Sequence, residues 1–198
     1  MHPNPLFRSE DRQAIAKLIA DHPLATICIA TETGPCTAHA PVLLEGETLL
    51  FHLAKNNAIT AGLDGARAVA VINGPGGYVS PRWYDARDTV PTWNYAALEC
   101  EGRVSRLDDA ALEAQLHALI ARFEGDLGGE PWEAGEASRE TWDKLFAGIT
   151  GFALAVETWR PTFKLSQNKN AAVRARIAGG LAEAGNPGLA AIVERQAP

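Results

Sequence analysis

The sequence has few cysteines and no long hydrophobic run. Its three cysteines, Cys28, Cys36 and Cys100, show no Cys-x-x-Cys spacing. This pattern argues against a disulfide framework and a structural zinc site, and it fits a reducing compartment. No apolar run approaches the roughly 18 residues that a membrane-spanning helix needs. The first residues also lack the basic and apolar regions of a signal peptide. We therefore expect a cytoplasmic protein without a membrane segment.

Basic residues are outnumbered. The 18 Lys and Arg against 24 Asp and Glu leave a formal net charge of −6, which does not support nucleic acid or an anionic membrane as a partner. The charge is segregated, however, because acids gather between residues 108 and 140. Residues 158–182 contain five basic residues and no acid. This basic segment would contact DNA or a phosphate, or form a solvated surface that balances the acidic region.

The common catalytic motifs are absent. The sequence has no Gly-x-Ser-x-Gly, no His-Glu-x-x-His, no Walker lysine loop and no Gly-x-Gly-x-x-Gly. No catalytic residue can therefore be named, and whether the protein is an enzyme stays open. The glycine-rich stretch at residues 74–77 contains a proline and predicts a turn, not a phosphate loop.

The hydrophobic pattern predicts six or seven strands that are joined mostly by turns and flanked by helices. This favours an α+β fold built on an antiparallel barrel. We expect one domain over residues 1–178 and a helical extension over 179–198. The predicted strands are 24–31, 36–44, 47–53, 66–73, 92–106 and 150–158. The predicted helices begin after Ser9, Asn57, Asp108 and Ser138, and two more lie near 171–177 and 189–194.

Two of these strands form a predicted hairpin with a loop at Glu45 and Gly46. In that register His39 and His52 are direct cross-strand neighbours on a polar face that also carries Thr37. Such a pair would bind a metal, contact a ligand, or form a stacked pair at an interface. Because two histidines without a third ligand make a weak metal site, we expect no metal.

The segment after the second of these strands suits an anion. Lys55, Asn56 and Asn57 run from the strand end into a predicted helix start, where free backbone N–H groups favour phosphate. The alternative is an ordinary helix cap with a solvated lysine.

Two further segments concentrate ligand-binding chemistry. Residues 164–170 supply six polar side chains that mostly donate hydrogen bonds, which suits an oxygen-rich ligand. Trp83 and Trp93 lie near predicted loops. Exposed aromatics there line flat conjugated ligands or subunit contacts, whereas buried ones belong to the core.

These segments together resemble the PaiB family of FMN-binding split-barrel proteins, which are described as negative transcriptional regulators. The resemblance runs in order from the first helix to about residue 178. The matching segments are Thr37 to Pro41, His52 to Asn57, Gly77 to Tyr84, Val90 to Tyr95 and Lys164 to Asn168.

The resemblance implies a six-stranded antiparallel split barrel that forms a homodimer with FMN at the subunit interface. It implies a flavin-linked regulator; the alternatives are an FMN-dependent oxidoreductase that acts on a small substrate with NAD(P)H or another donor, and a dimer that has lost flavin binding. An oxidoreductase would need no catalytic side chain of its own, because the flavin carries the chemistry. The implied flavin-binding residues are Thr37, His39, His52, Lys55, Asn56, Asn57, Trp83, Trp93, Asn94, Lys164, Ser166, Gln167 and Asn168.

Overall fold

The computed structural model describes residues 3–84 and 88–195 of the chain. Within these residues the α-helices are α1 (Arg12–Asp21), α2 (Asp109–Leu127), α3 (Arg139–Phe146), α4 (Ala171–Glu183) and α5 (Pro187–Arg195). The strands are β1 (Leu24–Thr31), β2 (Gly34–Pro41), β3 (Leu43–Glu45), β4 (Thr48–Ala54), β5 (Arg67–Val79), β6 (Thr92–Arg106) and β7 (Ile149–Lys164). Short 3-10 helices lie at Pro5–Phe7, Thr60–Gly62, Pro81–Trp83 and Ala134–Glu136.

The strands form one antiparallel sheet in the order β2-β1-β5-β6-β7-β4-β3. The predicted α+β class with antiparallel strands is confirmed, but the described sheet has seven strands where six were implied. The extra strand arises because the predicted strand 36–44 divides at Val42. Pro41 has no N–H to donate to a ladder, and the N–H of Val42 bonds instead to Pro23 O at 2.9 Å.

The division at Val42 makes the predicted hairpin wrong. Strand β2 pairs with β1, and only the short β3 pairs with β4, with Glu45 opposite Thr48. Gly46 has a positive φ of 59° and takes the first position of the two-residue loop, because glycine adopts that conformation without strain. Between β3 and β4 the pairing lies two positions from the predicted register, so the alternation of faces is unchanged in these two strands.

The glycine-rich stretch at residues 74–77 is not the predicted turn. It lies inside β5, which continues to Val79. A Cβ on Gly74 would overlap Leu18 of α1, and a Cβ on Gly77 would approach Leu189 of α5 to 2.9 Å. Glycine is therefore required here because helices pack closely against the strand, and not because the chain reverses.

The chain divides into two compact units, each described by itself. Unit 2 comprises Pro23–Val71 and Cys100–Trp159. Its core contains Ile27, Leu49 and Leu154, which are fully buried. Phe51 lies directly opposite Phe152, and their rings stack with centroids 5.5 Å apart. These contacts fix β4 beside β7 and so position the turn that follows β4.

Unit 1 comprises Met1–His22, Ile72–Glu99 and Arg160–Pro198. The apolar stripe predicted for α1 is buried, but Asp11 and not Ser9 caps the helix, accepting hydrogen bonds from the N–H groups of Gln13 and Ala14. Helix α4 runs through residue 178, so the predicted domain boundary there falls inside a helix. No helix in the described ranges is long and apolar enough to cross a membrane.

Candidate functional site

The residues implied to bind flavin fall into two groups, one in each unit. The unit 2 group is Thr37, His39, His52, Lys55, Asn56 and Asn57. The unit 1 group is Trp83, Trp93, Asn94, Lys164, Ser166, Gln167 and Asn168.

The two histidines of unit 2 are not the predicted cross-strand pair. His39 is exposed on β2, where it lies opposite Thr26 with its Nδ1 3.1 Å from the Thr26 hydroxyl. His52 lies on β4, opposite Gly151. Thr37 is exposed two residues before His39, on the same face of β2. The expectation failed because β2 pairs with β1 and not with β4.

His52 carries a buried polar atom without a partner. Its Nδ1 is buried and makes no hydrogen bond. His52 and Gly151 lie directly opposite each other on paired strands, so a side chain at either position points to the same side of the sheet. A Cβ placed on Gly151 would meet Leu107 and Leu112 of α2, so these leucines cover the side that the imidazole faces. Desolvation there lowers the pKa of His52, so the imidazole is mainly neutral at pH 7. A neutral imidazole with one unused nitrogen can donate to or accept from a ligand hydroxyl or a water.

Lys55, Asn56 and Asn57 form a turn, and the helix predicted after them is only the 3-10 helix Thr60–Gly62. The backbone N–H of Lys55 bonds to Gly148 O at 2.8 Å, and that of Asn57 bonds to Ala54 O at 3.0 Å. The predicted helix start is therefore not at Asn57, and the N–H groups of Lys55 and Asn57 are already used. What remains for an anion are the side chains of Lys55 and Asn56, which are exposed.

The unit 2 donor set fits the polar part of a flavin nucleotide. The Lys55 ammonium forms no ion pair with a carboxylate among the residues that the structure describes. It therefore keeps all of its donors for a phosphate. The exposed Asn56 amide adds a neutral donor, whereas the Nδ1 of His52 is buried.

The two tryptophans of unit 1 have different surroundings. Trp83 is half-buried against Gly180 of α4, whose missing side chain makes room for the indole. Arg176 donates from Nε to the Trp83 carbonyl at 3.1 Å. Trp93 is 53% exposed and contacts Gly76. Trp83 therefore packs the 3-10 helix Pro81–Trp83 against α4, whereas the indole of Trp93 is largely exposed to solvent.

Asn94 and Ser166 form a buried pair in unit 1. The Asn94 Nδ2 donates to Ser166 Oγ at 2.9 Å, and the Ser166 hydroxyl lies 3.2 Å from Asn94 Oδ1. Both are almost fully buried. Ser166 has a φ of 63°, which is uncommon for a residue with a side chain. The pair therefore holds a strained backbone in place.

In the segment at residues 164–168, some side chains support the loop and others are exposed or line a cavity. The Gln167 side chain accepts from Leu165 N at 2.8 Å and donates to the Phe163 carbonyl, so Gln167 shapes the loop. Lys164 donates from Nζ to the Thr92 hydroxyl at 2.6 Å. Asn168 is exposed. Lys164, Ser166 and Asn168 line one small cavity.

Other residues of this cavity were not in the implied flavin-binding set: Phe7, Tyr84, Thr89, Val90, Thr92 and Lys169. Thr92 and Lys169 lie inside segments that the sequence had singled out, at Val90 to Tyr95 and at 164–170. The signal for Lys169 was the length of the polar segment, which continues to residue 170.

Comparison with known proteins identifies the family. Residues 1–158 match the family model described as "Putative FMN-binding domain". The chain belongs to this FMN-binding family. The chain is 27% identical over 177 residues to "Protease synthase and sporulation protein PAI 2" of Bacillus subtilis (strain 168), covering 83% of this chain and 81% of that protein. The recognition of the PaiB family is therefore confirmed.

Solved structures agree with the fold of the FMN-binding family. The FAD and heme binding protein from Mycobacterium smegmatis has a TM-score of 0.62 at 21% identity, covering 87% of this chain and 80% of that chain. The flavocytochrome Anf3 from Azotobacter vinelandii has a TM-score of 0.62 at 14% identity, covering 82% and 72% respectively. These likenesses show the fold, and the family match shows that the chain carries the FMN-binding domain of the family.

Proposed function

We propose that this protein binds FMN and that the turn after β4 contacts the phosphate. The observation that carries the proposal is the Lys55 ammonium, which is exposed and has no carboxylate partner within the described ranges. It lies in the part of the chain that matches the FMN-binding family. FAD would offer a diphosphate in place of a terminal phosphate, so a single exposed lysine beside one amide suits FMN better.

The residues of unit 2 would bind and orient, because the flavin itself supplies hydride or electron transfer when it is bound. Lys55 neutralises phosphate charge, and the Asn56 amide donates a neutral hydrogen bond. His52 stays mainly neutral at pH 7, so its unused nitrogen adds no charge to the site.

The phosphate role is tested by comparing FMN with riboflavin. In Lys55→Ala we expect FMN affinity to fall about tenfold or more, while riboflavin affinity changes less than about twofold, because riboflavin has no phosphate. Lys144→Ala is the matched control, since Lys144 is an exposed lysine of α3 in the same unit. An equal loss for both flavins, or an equal loss in the control, would refute the phosphate role.

We further propose a flavin-linked negative regulator, by analogy with the PaiB family. The basic segment gives no support to direct DNA binding. Arg160 is paired with Glu99 at 3.0 Å, Arg174 is buried, and Arg176 bonds to Trp83 O. The two lysines of the segment line the small cavity of unit 1. Regulation would therefore act through a protein partner or the flavin and not through this segment on DNA.

An FMN-dependent oxidoreductase is the second candidate. It is favoured because the basic segment makes internal contacts and gives no support to DNA binding. The two are separated by measuring NAD(P)H oxidation by the FMN-loaded protein and its binding to promoter DNA at several salt concentrations. Turnover without salt-dependent DNA binding favours the enzyme. The absence of turnover favours the regulator, and DNA binding whose affinity falls steeply with salt would contradict our proposal that regulation acts through a protein partner or the flavin.

We also propose that the protein is a cytoplasmic homodimer with the flavin at the subunit interface. The exposed Trp93 supports such a contact, because aromatic residues are enriched at interfaces. Sedimentation equilibrium should give twice the 21.1 kDa chain mass. The mass of a single chain at all concentrations would exclude the dimer.

A further inference from the structure

A small polar cavity in unit 1 is not explained by flavin binding in unit 2. Its volume is about 180 Å³. That is below the roughly 300–1,000 Å³ typical of pockets for drug-sized ligands, so it does not suit a flavin ring. Among the residues that the structure describes, the polar groups of its walls are hydroxyl, amide and ammonium groups, and none is a carboxylate. The groups that matter are those of Tyr84, Thr92, Asn94, Lys164, Ser166 and Lys169.

The positive charge of this cavity is not neutralised. Lys164 uses one of its three donors on the Thr92 hydroxyl at 2.6 Å. The Lys169 Nζ lies 4.7 Å from the centre of the Tyr84 ring, a cation–π contact that leaves its charge in place. In the described part of the chain neither ammonium group pairs with a carboxylate. Two partly buried cations beside one cavity favour an anion as its occupant.

The neutral walls of the cavity are held rigidly. Ser166 is kept at a φ of 63° by its bonds to the buried Asn94. A non-glycine residue in this region is strained, and such strain clusters at ligand-binding sites. The backbone N–H of Lys169 donates to the Ser166 carbonyl oxygen at 3.0 Å and closes a turn. That turn brings Lys169 to the same cavity as Lys164.

Tyr84 adds a neutral donor. Burial raises the pKa of its phenol, so the hydroxyl stays protonated at pH 7 and is able to donate to an oxygen. The nearest described charges on this cavity are then both positive, and the neutral groups around them are donors or acceptors that suit oxygen.

We propose that this cavity binds a small oxyanion, a carboxylate or a phosphate, whose charge is neutralised by Lys164 and Lys169. The site goes beyond the phosphate contacts proposed at Lys55 and Asn56, because the residues that carry it lie in unit 1. The resemblance implied Asn94, Lys164 and Ser166 as contacts of the flavin, whereas the cavity is smaller than a flavin ring needs. The carboxylate would come from a small organic acid and the phosphate from free phosphate or a short phosphate ester. Both share the charge and oxygen geometry that lysine and hydroxyl donors recognise.

The test is a titration of the full chain with propionate and, separately, with inorganic phosphate. NMR spectra of ¹⁵N-labelled protein follow the side-chain amide of Asn94 and the backbone amide of Lys169. We expect saturable shifts of these signals with at least one anion, and none with propionamide, which has the same shape without the charge. The anion that shifts them at lower concentration identifies the source. No saturable shift with either anion up to about 50 mM, a concentration that would detect even millimolar affinity, overturns the proposal.

Substitutions then test whether Lys164 and Lys169 neutralise the charge of the anion. Lys164→Met with Lys169→Met should weaken binding at least about tenfold, and Lys164→Arg with Lys169→Arg should restore most of it. Lys144→Met is the matched control for a lost positive charge elsewhere. If the control weakens binding equally, or if the arginine pair fails to restore it in a folded protein, the assignment is wrong.

A repeat of the titration with FMN present separates this site from the flavin site. We expect the anion to bind equally well in flavin-free and FMN-saturated protein. If FMN displaces the anion, the cavity belongs to the flavin and the proposal is overturned. Failure of FMN to bind would contradict the proposed function alone, because the titration needs no flavin.

Discussion

Among single residues, the hydrogen bonds between the buried side chains of Asn94 and Ser166 are expected to contribute most clearly to the free energy of unfolding. Asn94→Ala would leave the Ser166 hydroxyl buried without its amide partner while the backbone stays strained. We expect the free energy of unfolding to fall by about 1–3 kcal/mol, the usual cost of an unsatisfied buried polar group. Urea unfolding followed by circular dichroism measures it.

Asn168→Ala is the control for this prediction, because Asn168 is exposed two residues after Ser166. Its effect should stay within about 0.5 kcal/mol. Equal stability of the Asn94 variant and the wild type would show that the pair does not hold the loop.

The burial of His52 predicts a pH dependence of stability. Desolvation lowers its pKa in the folded protein from the ordinary value of about 6.5, so the unfolded chain binds the proton more readily. The free energy of unfolding should therefore be highest above about pH 6.5 and should decline as the pH falls through and below that value. His52→Gln should flatten the decline, as measured by urea unfolding between pH 5 and 8.

His39→Gln provides the comparison, since His39 is exposed on β2. We expect this variant to keep the wild-type decline toward low pH. A decline that persists unchanged in His52→Gln would assign it to another group.

For single residues, the sequence predicted the chemical character of the side chains better than it predicted their hydrogen-bond partners. The donor character of Lys55 and Asn56 and of the segment at 164–168 was readable, because it depends only on the side chains. The partner of His39 was not, because it depends on whether Pro41 interrupts a strand. The role of Gln167 as a loop support was hidden for the same reason: its bonds reach Leu165 and Phe163 only in this particular turn.

At the scale of elements, α4 carries two adjacent glycines in different surroundings. A Cβ on Gly180 would overlap the indole ring of Trp83, whereas a Cβ on Gly179 would meet nothing within 4 Å. We expect Gly180→Ala to cost about 1–3 kcal/mol through overpacking and to change the tryptophan fluorescence. Gly179→Ala should instead gain up to about 1 kcal/mol, because alanine favours helix more than glycine does.

Urea unfolding of both variants, followed by fluorescence and circular dichroism, decides this prediction. Both changes add one methyl group to the same helix, so intrinsic helix preference alone would stabilise both. Two stabilised variants would show that Trp83 does not pack against α4.

The elements themselves were largely predictable. Strand β1 and the long β6 were expected with their observed bounds. For β1 the signal is a continuous β-branched and apolar run. The caps Asp108 and Ser138 were also correct. The glycine-rich part of β5 was not predictable, because glycine marks both turns and close packing, and only the helices packed against it distinguish the two.

At the scale of the whole molecule, the family was readable from the sequence because its motifs are long and rich in tryptophan. The arrangement of the residues implied to bind flavin was not, since it depends on strand pairing. The basic segment noticed in the sequence makes internal contacts through its arginines and lines one small cavity with its two lysines. Net charge alone does not show this.

Flavin binding by the purified chain is the central claim, and a titration of flavin-free protein with FMN tests it most directly. Flavin fluorescence and absorbance report the bound fraction, and equilibrium dialysis gives the stoichiometry. We predict saturable binding of one FMN per chain, with a dissociation constant in the micromolar range or below. No binding at FMN concentrations up to about 100 μM would contradict the account and favour a protein that keeps the fold without the cofactor.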